Sequence, residues 1–272
     1  MNIAQEISGI ADQYLNVVQS LSYLEIGREV EAPNNLLISD EIVGNNQITT
    51  FYAPFDYINP NARLVIVGLT PGKSQAEVAL KELKRGLDGG LSHAEALMRA
   101  KNTASFAGPM RKNLIACLDH LEVGRILGVP SVEGVWDQPE KVHFTSTLRY
   151  PVLVNGDNFT GSPNALKVPC LRHQIDTYLG EEMRKLSDAV FVPLGPVATK
   201  SVIETAKANG IDNEQVLTGI PHPSGANQER INYFLGRKAR ETLSNRTNPD
   251  SIDTSREAMV RKIEALLKNL KS

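Results

Sequence analysis

Two short stretches place reactive side chains at the ends of apolar runs. The first, GLTPGKS at residues 68–74, follows the run Leu64–Val67 and closes on Gly72, Lys73 and Ser74, the ending of a phosphate-binding loop. The second, PHPSGAN at residues 221–227, sets the imidazole of His222 between two prolines, with Ser224, Gly225 and Asn227 after it. A histidine at a strand end can move or share a proton near neutral pH. Ser224 and the N–H of Gly225 can grip a phosphate, and the same serine can serve as a plain helix cap. Lys73 and Ser74 open a helix and can also touch a phosphate, although an exposed lysine is usually only solvated.

A nucleotide cradle needs G-x-x-x-x-G-K-[ST], because four intervening residues wrap their N–H groups around the phosphate. The first glycine of that pattern falls on Val67, and Gly68 comes one residue late. Pro71 removes one N–H from the cradle. The later apolar run AVFVPLG ends in Pro and Gly, without an Asp to hold Mg²⁺. Nucleotide binding through an imperfect loop stays an alternative, and another use of the same helix start is favoured.

The elements that must position these residues alternate. Val65–Val67 reads as a buried strand, 74–85 as a helix, and Ser92 with Glu95 as the capping box of another. Residues 110–121 read as helix, 142–148 as strand, 168–186 as helix and DAVFVPLG as a buried strand. Pro196 suits the first turn of the next helix. A short strand at 216–220 and a helix at 228–243 follow, with NRTNPDS as a linker. YPVLVNGDNFTGSPN reads as a long irregular loop, and 28–62 as extended pieces and turns. Helical spacing of Ile3, Ile7, Ile10, Leu15, Val18 and Leu21 marks an N-terminal amphipathic helix over 3–24. Met259, Ile263, Leu266, Leu267 and Leu270 mark another over 254–270. Strands alternating with helices imply an α/β fold with a mainly parallel sheet, which presents ligands beyond the C-terminal ends of its strands. GLTPGKS, TSTLRYP and PHPSGAN all lie at such ends.

The chain has 272 residues, 41% of them hydrophobic, enough for a substantial core. Its formal net charge is −2, so no global field draws it to nucleic acid or an anionic membrane, and any such contact must be local. Candidates for a local positive patch are Lys73, Arg111, Lys112, Arg149 and Arg230. Two cysteines, Cys117 and Cys170, argue against a disulfide scaffold and for reduced thiols in a cytoplasmic protein. No apolar run approaches the ~18 residues of a membrane span. The N-terminus lacks the basic start and continuous apolar run of a signal peptide.

GLTPG after a core strand, with HPSG after a last strand, resembles the uracil-DNA glycosylase superfamily, whose first motif takes forms such as GQDPY, GINPG and GEAPG, and whose second takes forms such as HPSP and NPSG. SFAGPMRKNL is similar to the PFxGxxGxxL segment of its iron–sulfur branch, and PCLRHQIDTYLGEEMRKLSDAVFVPLGPVATKSV is similar to that branch's C-x-x-x-L…P-x-x-I-v-x-L-G-x-x-A stretch. The resemblance runs from about residue 63 to 240. It implies one α/β domain over 1–272: a three-layer α/β/α arrangement on a central, mainly parallel four-stranded sheet. Within it, 1–60 is a helix and irregular extension, 63–243 the glycosylase-like core, and 250–272 a C-terminal amphipathic helix.

Such an enzyme hydrolyses the bond between a flipped-out base and deoxyribose, so it must stabilise a departing base anion, hold phosphates and place a water. By resemblance, His222 donates to O2 of the leaving pyrimidine and Thr70 orients the water. Phe106 stacks on the base or is a core residue. Ser224, Gly225 and Asn227 grip the backbone, with Lys73 and Ser74, and Gln228 or Arg230 wedges into the duplex.

Three positions depart from the superfamily. Leu69 and Thr70 stand where relatives carry an acid or amide, so either catalysis leans on leaving-group stabilisation or an acid arrives from elsewhere, with Glu77 and Asp157 as candidates. Ser146 or Thr147 stands where an Asn reads the uracil edge, and a hydroxyl makes one bond where an amide makes two. Gly72 replaces the Tyr that walls off the pyrimidine C5 position in strict uracil enzymes, which opens space there. Together they favour a C5-substituted or otherwise modified pyrimidine, including a hypermodified viral base removed in host defence. Cys170 alone matches a cluster cysteine and reads as a small buried packing residue, so no iron–sulfur cluster, metal or other cofactor is expected. The expectation is a monofunctional DNA glycosylase with DNA as partner and no membrane association. The alternatives are an inactive relative that binds DNA or protein, and a nucleotide-binding protein.

Overall fold

The computed structural model describes residues 9–105, 109–137 and 141–269. Phe106, and Ile3, Ile7 and Leu270 of the two terminal helical patterns, lie outside the described residues. The chain opens with α1 (Ala11–Ser20), α2 (Tyr23–Glu31), β1 (Leu37–Val43) and β2 (Asn46–Phe51). Then come β3 (Leu64–Gly68), α3 (Lys73–Asp88), α4 (His93–Ala104), α5 (Pro109–His120) and α6 (Gly124–Leu127). β4 (Val142–Ser146), β5 (Val152–Val154), β6 (Asp157–Asn158), α7 (Pro169–Gln174) and α8 (Gly180–Lys185) follow. The remainder is β7 (Val190–Pro193), α9 (Pro196–Ala208), α10 (Gln228–Phe234) and α11 (Pro249–Asn269). This is a mixed α/β protein with two compact units, each assembled from separate segments.

The first unit comprises residues up to 60, 69–105 and 144–185. The expected single N-terminal helix is two helices, because Ser22 caps α2 through a capping box with Glu25 and ends the run at Leu21. Ser92 and Glu95 form the expected box at the start of α4. Apolar faces of α1, α2, α3 and α4 close one core around Leu15, Ile26, Leu80, Leu83 and Leu97. An antiparallel sheet in the order β1-β2-β5-β6 completes the unit. Two of its strands, β5 and β6, replace the irregular loop expected after Tyr150. Asn155 and Gly156, at φ +52° and +83°, make the two-residue turn between them, the pairing that twists with the strands it joins.

The second unit comprises 61–68, 106–143 and 186–272. A three-stranded sheet in the order β4-β3-β7 runs through it, with β3 and β7 parallel in the register Leu64↔Val190 to Val67↔Pro193. Every residue of β7 is buried, which is why it reads as a continuous apolar run. The expected strand at 216–220 shrinks to one parallel bridge, Val216 to Phe191, because Gly219 turns the backbone to φ +111°. α9 starts at Pro196 as expected and packs on β7 and β3. The expected helix 228–243 stops at Phe234, where Gly236 takes φ +69° and reverses the chain. The C-terminal helix starts earlier than its apolar pattern, at Pro249, and buries Met259, Ile263 and Leu267. Among the described residues no helix is long and apolar enough to cross a membrane.

Candidate functional site

In the first unit, the GLTPG turn is stitched to the segment after β4. Leu148 N–H donates to the Leu69 carbonyl at 2.9 Å, and Thr70 Oγ1 donates to the Tyr150 carbonyl at 3.3 Å. Its hydrogen committed, the Thr70 hydroxyl keeps lone pairs that can accept from a water. Thr70 and Gly72 are half-buried and Pro71 is buried, while Ser74 is exposed. The Gly72 N–H donates to Gln75 Oε1 at 3.3 Å, and the Lys73 N–H donates to Asn158 Oδ1 at 2.9 Å. Lys73 Nζ pairs with Glu31. Two N–H groups and the ammonium that a nucleotide cradle would use are thus already engaged by side chains.

Ser146, half-buried, ends β4, and Thr147 beside it is fully buried with an unpartnered hydroxyl. A buried polar group without a partner costs about 1–3 kcal/mol, which a hydrogen-bonding ligand or a water would relieve. Asp157 is exposed on β6, and Glu77, half-buried on α3, bonds Lys81.

Arg149 does not belong to a positive patch. Its side chain is 1% exposed, pairs with Glu182 at 2.6 Å, donates to the Tyr178 carbonyl at 3.2 Å and lies over the Tyr178 ring. Next to it the Tyr150 hydroxyl donates to Asp56 Oδ1 at 2.7 Å, and the Ile10 N–H bonds both. Burial pushes the Asp56 carboxyl up from its ordinary range, against the pull of Arg149. Lys101, also buried, donates to the Phe55 and Tyr57 carbonyls, and burial brings its ammonium down to about 8. This cluster fixes the segment whose carbonyl holds Thr70. Sequence patterns missed it because its members lie far apart along the chain and each, alone, reads as a surface charge.

In the second unit, Leu194 N–H donates to the Val67 carbonyl at 2.9 Å, so the C-terminal ends of β3 and β7 lie side by side. Gly195 follows at φ +88°, a conformation that favours glycine, and a Cβ there would stand 3.5 Å from Cδ2 of His222. His222 is half-buried, and burial lowers its imidazole below the ordinary histidine value, so the ring is neutral at pH 7. Ser224 N–H donates to Nδ1 at 3.3 Å. A neutral ring that accepts at Nδ1 carries its proton on Nε2, which makes Nε2 a hydrogen-bond donor.

The rest of this loop is held from α5 and from within. Asn113 Nδ2 donates to the Pro223 carbonyl at 3.0 Å and to Gln228 Oε1 at 3.3 Å. Asn227 Nδ2 donates to Ser224 Oγ at 3.1 Å, and Arg230 donates to Asn227 Oδ1 and to the Arg246 carbonyl. Gly225, exposed, opens a single 3₁₀ turn to Asn227. Gln228 and Arg230 are exposed, but both are tied into this network, and the seven-residue α10 supplies a shorter dipole than the expected helix. Two hollows of this unit, about 430 Å³ beside His120 and Arg256 and about 300 Å³ beside Arg63 and Asp212, involve none of the motif residues.

Cys117 is buried, which pushes its thiol up to about 12, and Cys170 is half-buried rather than fully packed. Among the described residues no three His, Cys, Asp or Glu side chains are grouped to hold a metal ion.

Fold and strand-end turns thus define an α/β protein with a neutral, donor-oriented histidine beyond a parallel sheet. The chain belongs to the family of YoxB, an uncharacterized protein of Bacillus subtilis (strain 168), with 33% identity over 198 residues that span 71% of this chain and 77% of YoxB. No family model and no solved structure matches the chain.

Proposed function

We propose that this protein is a metal-independent, monofunctional DNA glycosylase of the uracil-DNA glycosylase superfamily, acting on a flipped-out pyrimidine with a C5 substituent, in the cytoplasm and in defence against modified viral DNA. The observation that carries the reading is His222: half-buried, neutral, with Nδ1 occupied by the Ser224 N–H and Nε2 left as a donor. Hydrolysis of an N-glycosidic bond leaves negative charge on the base, and a fixed donor at the leaving oxygen stabilises that charge without having to reorganise. Thr70 accepts from the attacking water, Thr147 and Ser146 read the base edge, and Ser224, Gly225 and Asn227 take the phosphates. In this reading the Val216–Phe191 bridge marks the fourth position of a central parallel sheet.

His222 lies against the residue that follows Leu194 after β7, the kind of strand end at which open α/β sheets bind ligands. A second reading, a DNA- or protein-binding relative without catalysis, draws on the lack of a carboxylate at positions 69 and 70.

Incubation with duplexes carrying uracil or C5-modified pyrimidines, followed by cleavage at abasic sites, tests the proposal. Wild type is expected to generate abasic sites, fastest from a C5-modified base. His222→Ala is expected to lower release about 10²–10³-fold with DNA affinity retained. DNA binding without base release from any substrate would favour the second reading, and fast release from uracil alone would defeat the C5 assignment.

A further inference from the structure

Phe234, the last residue of α10, holds two donors in place at once. Its buried ring lies 5.7 Å from the imidazole of His120 at the end of α5, and its carbonyl accepts from Arg256 Nη1 of α11 at 3.2 Å. Arg256 Nη2 donates to Asp253 Oδ1 at 2.8 Å. The Asp253 carboxylate also accepts from the Tyr233 hydroxyl at 2.6 Å and faces Arg240 at 3.7 Å, so it offsets the Arg256 charge only in part. Further along α11, Arg261 meets Glu257 at 3.9 Å with both side chains exposed, a contact worth little in water. Arg256, Arg261 and His120 line the hollow of about 430 Å³, with Leu121 and Val260 as its apolar wall. That volume lies in the range of small-molecule sites, about 300–1,000 Å³.

Partial desolvation, then the charges of Arg256 and Arg237, hold the His120 imidazole below its ordinary value, so the ring is neutral at pH 7 and stands in a positive field. Arg256 is already ordered by Phe234 and Asp253, which lowers the cost of fixing it on a ligand. One guanidinium fork matches a planar carboxylate, whereas donors from two helices suit the several oxygens and nearly double charge of a phosphate. We propose that this hollow binds a small organic phosphate: Arg256, Arg261 and His120 take the phosphate oxygens, and Leu121 and Val260 cover the apolar part. None of the motif residues lines the hollow, so the site stands whether or not the protein excises bases.

Titration of the full chain with phenyl phosphate, benzoate and inorganic phosphate tests the assignment, read from the imidazole NMR signals that vanish in His120→Gln. Phenyl phosphate is expected to shift those signals and to saturate with a dissociation constant of about 1 mM or below, and benzoate and inorganic phosphate to bind about tenfold more weakly. Arg261→Glu is expected to weaken phenyl phosphate about tenfold, with the unfolding midpoint unchanged because the side chain is exposed. Unmoved His120 signals, or full affinity in Arg261→Glu, would overturn the site. Equal affinity for benzoate overturns the choice of phosphate, and equal affinity for inorganic phosphate overturns the role of the apolar wall. Displacement of phenyl phosphate by an undamaged DNA duplex would assign the hollow to a nucleic-acid backbone and overturn the small ligand.

Discussion

The Thr70 turn follows the end of β3 and the His222 loop follows an isolated bridge at Val216; each carries a proline next to the residue of interest, yet they are held differently. The His222 loop is fixed by a backbone donor of its own, the Ser224 N–H on the imidazole, and by Asn113 of α5 on the Pro223 carbonyl. Those bonds determine where one proton sits. The Thr70 turn is held from outside, by the Tyr150 carbonyl and the Asn158 side chain, and Tyr150 is itself anchored in a buried charge cluster. Those contacts determine the shape of a surface. One loop fixes the tautomer of a ring and the other fixes a backbone turn, so damage to each should look different.

Breaking the support of the Thr70 turn should cost the most. Arg149→Met leaves Glu182 and Asp56 buried without their guanidinium partner. Removing one member of a buried pair typically costs about 3–5 kcal/mol. Urea unfolding should show a loss of that size, and a change under about 1 kcal/mol would mean that the cluster does not anchor the segment.

The His222 side is sharpened by Asn113→Ala, which frees the Pro223 carbonyl and leaves Gln228 without this donor. In the base-excision reading proposed above, Asn113 acts through the loop as a positioning residue. The expected result is a fall in kcat of about tenfold with KM little changed, beside a stability loss of about 0.5–1.5 kcal/mol for each bond removed. A loss of stability with kcat unchanged would assign it a structural role only.

Thr70→Val is the milder test of the turn. It removes one 3.3 Å hydrogen bond and the lone pairs offered to water while keeping the side-chain shape. A stability loss of about 0.5–1.5 kcal/mol follows from the bond alone. A fall in base release beyond that equivalent would place Thr70 in contact with the attacking water, and no excess would remove it from the reaction.

What the sequence made legible divides along the same line. Apolar runs marked β3 and β7, and capping chemistry at Ser92 and Pro196 marked α4 and α9, because burial and caps are local signals. GLTPG falls at the end of β3 for the same reason, whereas the strand expected before PHPSG is only a bridge at Val216. The β5–β6 hairpin also carries a local signal, Asn155–Gly156 between Val152–Val154 and Asp157–Asn158, which outweighs the Gly, Pro and Asn content that makes the stretch read as an irregular loop. The buried cluster around Arg149 carried no such signal, since Asp56, Lys101, Arg149 and Glu182 meet only through tertiary packing. The short α10 was hidden because Gly236 and the polar stretch after it do not disturb helical spacing enough to show a reversal.

The smallest expected effect lies just past the His222 loop and has a definite sign in pH. Glu229, one residue into α10, accepts from Lys238, from the Ser244 hydroxyl and N–H, and from Thr247. Those bonds hold its carboxyl far below the usual carboxylate range. A depressed folded value means that the unfolded chain binds the proton first as pH falls, so the stabilisation is complete above the unfolded value of about 4.3 and drains away below it. Unfolding midpoints should therefore drop between about pH 5 and pH 2, with Glu229→Gln flattening that slope and leaving the midpoint at pH 7 lowered. Base release at neutral pH should change little in Glu229→Gln if Asn113 and Ser224 alone hold the imidazole. A large loss there would instead show that the anchored loop beyond α10 also sets the position of His222.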